Sequence, residues 1–338
     1  MRRTIRRLIW VVFAISAAAT VLWAGKVGYA FTVLFGLFDP VLIAEYRLKT
    51  ADEAAYVQAI EEEIDQGNYA TAESLVALAE KYGHAVPVEL VSAAEATPLR
   101  RTIATGGKFA RGFVTGSQGS GEEIAGTVVS DFLVIGDIRD IAVQGANYAR
   151  GEDYDRIILG LSAIGLLTSG GALVTMGGSA VIDAGISVIK ATYKAGRMSG
   201  PMLRQLTRIT GRLFDRNALA ALDLQKMTSA ADLRTGLKSV IRQDEAAKLA
   251  AIAADAGVIV GKGGARAGAM AFEIADDTKD LTKLRRVSTA YADKTVAVFK
   301  IAGKGLLHLA DILWHLVSAA VSMLTSLALL VLRVARLV

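Results

Sequence analysis

A stretch of 26 residues, positions 157–182, constrains this chain most, because it contains no charged side chain. It is long enough to cross a bilayer as one helix, which needs about 20 apolar residues. Residues 168–171, however, read Thr-Ser-Gly-Gly, a sequence typical of a turn, so two short apolar helices could fold back on each other. Basic residues flank both ends, which favours both ends lying on one side of a membrane. We therefore expect an apolar helical hairpin that either dips into the bilayer or packs within a protein core.

Glycine is unusually frequent in this stretch, and small residues let helix backbones approach closely. We expect these glycines to lie where the two arms of the hairpin meet. The predicted helix-packing residues are Gly160, Gly165, Gly170, Gly171, Gly177 and Gly178.

The composition favours long helices over sheet. Hydrophobic residues make up 53% of the chain, above the roughly 45–50% of a soluble domain, and there are only four prolines in 338 residues. The absence of cysteine excludes disulfides, thiolate chemistry and cysteine-ligated metals. The predicted fold class is an all-α integral membrane protein.

Both ends of the chain carry features of membrane anchors. Four arginines among the first seven residues precede the uncharged run 8–24, which favours an uncleaved anchor with a cytoplasmic N-terminus. A removable signal peptide is the alternative, since residues 17–19 are small. At the other end, residues 312–332 are uncharged apart from His315 and are followed by Arg333 and Arg336. This run is the clearest predicted transmembrane helix, with its basic tail in the cytoplasm.

Residues 51–97 predict a soluble helical hairpin that turns at Gly67. The spacing of Tyr56, Gly67, Tyr69, Ala72 and Ala79 resembles that of a tetratricopeptide repeat over about 34 residues. Other expected positions of that repeat differ, and a stable stack needs at least about three repeats where this chain shows one. A generic helical hairpin is therefore the preferred interpretation.

A basic amphipathic helix is predicted after Pro201, which suits the first turn of a helix. Its arginines recur every fourth residue, and apolar residues occupy the remaining face. One interpretation places this helix flat on an anionic membrane surface; the alternative is an ordinary solvated face. The predicted membrane-surface residues are Arg204, Arg208, Arg212 and Arg216.

Signals for chemistry are weak. Asp137 and Asp140, with Arg139 between them, are interpreted as a charge cluster at a helix end rather than a catalytic pair. The glycines of residues 257–263 are similar to a phosphate-binding loop but have the wrong spacing and lack the Ser or Thr that would hold magnesium. His308, Asp311 and His315 share one helix face, but the two histidines are about 10 Å apart along it, too far for one small metal site.

These patterns predict no catalytic residue, no cofactor and no metal. Nucleic acid is not an expected partner, because only 7% of residues are aromatic and they do not alternate with basic positions. The expected partners are a bilayer with anionic lipids and either another protein or further copies of the chain. Five regions are expected: an anchor (1–44), an acidic helical hairpin (45–99), a Gly-rich apolar region (100–198), an Ala-rich basic region (199–304) and a C-terminal transmembrane helix (305–338).

The function expected from sequence is that of a non-enzymatic scaffold in a bacterial envelope complex. Two terminal crossings would place both termini in the cytoplasm and the bulk of the chain on the periplasmic side of the inner membrane. A single crossing by residues 157–182 would set one terminus against its charge preference. The alternative function is membrane permeabilisation, in which the 157–182 hairpin and the basic helix open a pore.

Overall fold

The computed structural model describes residues 39–95, 128–169, 178–215 and 229–307, together with Ala218 and a few single residues near the two ends. Within these ranges the fold is all-α, as predicted, and an isolated bridge between Phe214 and Ile241 is the β-type pairing they contain. The α-helices are α1 (Pro40–Thr50), α2 (Glu53–Asp65), α3 (Tyr69–Tyr82), α4 (Val88–Ala94), α5 (Val128–Ala149), α6 (Arg156–Ser169), α7 (Ser179–Lys194), α8 (Gly200–Leu213), α9 (Ala230–Val240), α10 (Gln243–Ile274), α11 (Thr278–Tyr291) and α12 (Thr295–Ala302).

The chain forms two compact units. One comprises Met1–Thr50 with Gly305–Val338, and the other comprises Ala51–Lys304. In the first unit, the guanidinium of Arg47 on α1 donates a hydrogen bond of 3.3 Å to the carbonyl of Gly305. The predicted spans 8–24 and 312–332 fall in this unit and lie almost entirely outside the described residues.

Helix α6 is the centre of the second unit. Its residues 157–168 are all buried, and α5, α7, α8, α9 and α10 surround it. A helix that is apolar on every side must be covered on every side, and here protein covers it. Helices α6 and α7 contact each other, and residues 170–177 between them, which include most of the second arm of the apolar stretch, lie outside the described residues.

The most extensive helix contact is the crossing of α7 and α10, where two glycines remove the side chains that would separate the backbones. A methyl group placed at Gly185 would overlap the carbonyl of Ala253, and one at Gly257 would overlap the carbonyl of Val181. Gly257 belongs to the segment similar to a phosphate-binding loop, and it lies inside helix α10. The same helix is interrupted at Gly264, whose φ of 81° and ψ of 171° are not helical.

The acidic segment forms the predicted hairpin. Helices α2 and α3 are joined by a short turn at Gly67, whose φ is 67°, and α3 ends at Gly83 in the left-handed conformation. Tyr56, Ile60 and Leu75 are fully buried, and both helices contact α12.

No helix within the described ranges is both long enough and apolar enough to cross a membrane.

The prediction that Asp137, Arg139 and Asp140 mark a helix end is wrong. Helix α5 runs from Val128 to Ala149, so these residues lie near its middle.

Candidate functional site: a basic helix face and a buried charge cluster

Local sequence sets the start of α8. The hydroxyl of Ser199 accepts a hydrogen bond of 3.2 Å from the backbone N–H of Met202, and Pro201 occupies the first turn. This arrangement satisfies a free N–H group at the helix end, where proline is tolerated because its own N–H is not needed. Inward-facing Leu206 and Ile209 then fix which side of the helix faces the core.

The arginines of α8 face solvent. Arg204, Arg208 and Arg212 are exposed, and in the part of the chain that the structure describes none of them pairs with a carboxylate. Exposed arginines without acidic neighbours keep their full charge available for an anionic partner. Arg216, the fourth predicted residue of this face, lies outside the described residues.

The apolar face of α8 packs against α6 and α10 inside the unit. Met202, Leu206 and Leu213 are fully buried there. An interfacial helix usually inserts its apolar face into the acyl region. Since this face is already covered, the exposed side of α8, which carries the arginines, is the side that a partner can reach.

Two of the predicted packing glycines, Gly160 and Gly165, lie against neighbouring helices. A methyl group at Gly160 would contact Thr210 and Leu213 of α8, at 2.9 and 3.2 Å. One at Gly165 would overlap the carboxylate of Asp137 on α5. Gly160 therefore faces α8 and Gly165 faces α5, and both serve helix packing at these contacts.

Gly178 has a different role. It precedes α7 with a φ of 74°, which glycine adopts readily, and a methyl group there would meet open space. Its position reflects backbone conformation at the start of α7 rather than helix packing. Gly170, Gly171 and Gly177 lie outside the described residues.

A buried charge cluster lies between α5, α6 and α7. The ammonium of Lys190 donates to Asp137 at 2.6 Å, to Asp140 at 3.0 Å and to the hydroxyl of Ser162 at 2.6 Å. The two carboxylates and the lysine side chain are each between 11% and 13% exposed. A lysine has three N–H donors, so this geometry uses all of them.

Burial raises the pKa of Asp137 to about 6, even though the charge of Lys190 acts to lower it. Burial also acts to raise the pKa of Asp140, but its hydrogen bond and ion pair with Lys190 outweigh that effect and hold the pKa below its usual range. Burial likewise raises the pKa of Asp183, whose carboxylate accepts a hydrogen bond from Thr168. The cluster therefore contains two carboxylates with opposite pKa shifts.

The close approach of Ser162 to Lys190 is not a catalytic dyad. A general base must have a free lone pair, whereas the lysine nitrogen donates to three acceptors. Ser162 is also completely buried in the middle of α6, so no substrate reaches its hydroxyl. The geometry supports a structural role in holding α5 and α7 against α6.

A second buried cluster was not predicted from the sequence. Glu63 on α2 is fully buried; its two carboxylate oxygens accept hydrogen bonds from Arg266, one of them at 2.7 Å, and from Lys300 at 2.6 Å. Burial acts to raise the pKa of Glu63, but the hydrogen bonds and charges of Arg266 and Lys300 lower it. The spacing around Glu63 gives no signal of these partners, which lie more than 200 residues away.

Within the described ranges, no group of three or more His, Asp or Glu side chains is arranged to hold a metal ion. His308, Asp311 and His315 lie outside those ranges. No protein family, curated protein or solved structure gives a significant match to this chain. Function must therefore be argued from the geometry described above.

Proposed function

We propose that this chain is a non-enzymatic, membrane-anchored scaffold of the bacterial inner membrane. The observation that carries the proposal is the complete enclosure of residues 157–168 by protein. The longest uncharged stretch among the described residues is thereby accounted for as the core of a helical unit. The apolar runs that remain for anchoring are 8–24 and 312–332.

The proposed topology follows from charge. Arginines precede the first run and follow the second, which favours a cytoplasmic location for both termini. Two crossings then leave the helical unit Ala51–Lys304 on the periplasmic side. The exposed arginines of α8 would face the anionic lipid surface or an acidic protein partner, and the scaffold would hold that partner or further copies of the chain.

Membrane permeabilisation is the competing function. It would require α6 and α7 to leave their neighbours and enter the bilayer. That step would separate Lys190 from Asp137 and Asp140, and breaking such a buried pair costs about 3–5 kcal/mol. It would also open the glycine-mediated crossing of α7 and α10, so the packing favours the scaffold.

Dye-loaded vesicles separate the two functions. The full chain, purified in a neutral detergent, is reconstituted into vesicles of neutral or anionic lipid that contain a self-quenching dye. The scaffold proposal predicts that the chain floats with the vesicles and that the dye stays inside. Release that rises with protein concentration would refute the proposal and favour the pore.

The role of the basic face is tested in the same system after addition of a second, protein-free population of anionic vesicles. Native protein is expected to cluster the two populations at low salt. Changing Arg204, Arg208 and Arg212 together to Gln should reduce clustering, with a loss of about 1 kcal/mol per residue that fades as salt rises. Equal clustering of neutral and anionic vesicles would show that the arginines do not bind lipid.

A further inference from the structure

An open cleft of about 330 Å³ lies between α8, α10 and α11, beside the arginine face. Its walls combine hydroxyl, amide and ammonium groups with a few apolar side chains. The residues that line it are Gln205, Ile209, Lys248, Ala251, Ile252, Asp255, Thr278, Lys279 and Thr282.

The cleft offers donors to an anion. Lys279 is exposed, and within the described part of the chain its ammonium has no ion-pair partner. Lys248 is already balanced, because its ammonium forms ion pairs with Glu245 at 2.9 Å and with Asp244 at 3.9 Å. The hydroxyl of Thr278 accepts a hydrogen bond of 3.4 Å from Gln205, so its own hydrogen can point into the cleft.

The single carboxylate of the lining is already balanced. Asp255 forms an ion pair of 3.0 Å with Arg285 and accepts a hydrogen bond of 2.6 Å from Thr282. Its charge is therefore compensated from the α11 side, as the charge of Lys248 is compensated by Glu245 and Asp244. Lys279 is the charged residue of the lining that is left without an ion pair among the described residues. A compensated acid does not oppose an incoming anion as a free one would.

Two arginines of α8 add positive charge at the edge of the cleft. Residues three and seven positions apart lie on one side of a helix, so Arg208 and Arg212 lie on the same side of α8 as Gln205, which lines the cleft. Ile209, Ala251 and Ile252 supply an apolar wall next to these polar groups. A ligand that fits both parts carries an anionic group joined to an apolar portion.

We propose that this cleft binds the phosphate headgroup of an anionic phospholipid. The proposal rests on the proposed function, in which the arginines of α8 face anionic lipid, and it assigns one lipid to a defined site beside that face. Lys279 contacts the phosphate, the Thr278 hydroxyl donates to it, and the glycerol portion lies against Ala251, which is the exposed apolar residue of the lining.

Binding is measured by calorimetry with the full chain in a neutral detergent. The probes are short-chain phosphatidylglycerol, short-chain phosphatidylcholine and inorganic phosphate. Saturable binding of phosphatidylglycerol is expected. Lys279→Glu should weaken it about tenfold or more, because a charge-assisted donor is replaced by a repelling group. Lys262→Glu is the matched control, since Lys262 is an exposed lysine of α10 outside the cleft.

Three other results would each overturn part of the cleft proposal. Equal weakening by Lys279→Glu and Lys262→Glu would overturn the site, because only overall charge would then matter. Inorganic phosphate binding as tightly as phosphatidylglycerol would overturn the lipid assignment. If Lys279→Glu has no effect while the triple arginine change abolishes vesicle clustering, the cleft proposal fails and the proposed function stands.

Discussion

The ammonium of Lys190 on α7 lies 2.6 Å from a carboxylate oxygen of Asp137 on α5. The Asp137 carboxylate fits against α6 here because Gly165 has no side chain, and Ser162 of α6 completes the coordination of the ammonium. Three helices thus meet at one buried cation. This arrangement explains how an apolar helix such as α6 is held in one register, which buried polar groups can specify.

Removing the cation should destabilise the unit. Lys190→Met leaves Asp137 and Asp140 buried without a countercharge, so the free energy of unfolding should fall by about 3–5 kcal/mol. Urea denaturation followed by circular dichroism in neutral detergent measures the change. Lys238→Met is the control, because Lys238 is an exposed lysine of α9 outside the cluster. Equal effects of the two changes would contradict the structural role of the cluster.

The stability of the chain should depend on the ionisation of Asp137. Burial raises its pKa to about 6 from an ordinary 3.8, so the folded chain binds this proton more tightly than the unfolded chain does. The resulting stabilisation is complete below the ordinary pKa and is lost as the pH rises through about 6. Relative to Asp137→Asn, the native chain should therefore gain stability as the pH falls from about 7.5 to about 4.5. A constant difference across this range would contradict the assignment.

The two carboxylates whose pKa values are lowered affect the stability of the chain in the opposite direction and at lower pH. Asp140 and Glu63 have pKa values below their usual range, so their stabilisation is present above the ordinary pKa and is lost as the pH falls through the folded value. The pH range used for Asp137 lies at or above the ordinary pKa values of these two groups, 3.8 for Asp140 and 4.5 for Glu63, so their contributions change little within it.

At the crossing of α7 and α10, the two glycine positions should tolerate no larger residue. A methyl group at Gly185 would overlap the Ala253 carbonyl, so Gly185→Ala should lower the melting temperature and cost at least about 2 kcal/mol. Gly261→Ala is the control, since a methyl group there meets open space and alanine favours the helix by about 1 kcal/mol. The prediction fails if both variants melt at the same temperature as the native chain.

Glu63 should hold the acidic hairpin in place. Glu63→Gln leaves Arg266 and Lys300 without their full countercharge, so the hairpin should open more often and be cleaved faster by protease. The expected loss of stability is about 3 kcal/mol. Glu61→Gln, a neighbouring exposed position, should leave the cleavage rate unchanged. Similar rates for both variants would show that the ion pairs do not hold the hairpin.

Local patterns predicted much of the helical framework. The α2–α3 hairpin follows from periodicity and a turn glycine, and α8 follows from Pro201. These features depend on residues a few positions apart, and such spacing is visible in a sequence. The same reasoning identified the arginines of α8 as one exposed face.

The buried ion pairs could not be predicted in this way. Lys190 is one of several basic residues near the apolar stretch, and Asp137 is predicted to lie at a helix end, because neither position reveals a partner some 50 residues away. The glycine pattern predicts that Gly165 is a packing residue, but it does not specify Asp137 of α5 as the neighbour, because five helices surround α6. Which neighbour covers an apolar face is decided by tertiary packing, and periodicity does not specify it.

Photolabelling from the lipid phase tests whether protein encloses α6 while the two terminal apolar runs contact lipid. The native chain in vesicles is exposed to a lipid-soluble carbene reagent, digested with trypsin and examined by mass spectrometry. Cleavage at basic residues separates peptides 8–26, 157–190 and 305–333. The account predicts label in 8–26 and 305–333 and none in 157–190, because protein rather than lipid encloses α6. Label in 157–190 at a level similar to that in the two terminal peptides would contradict it.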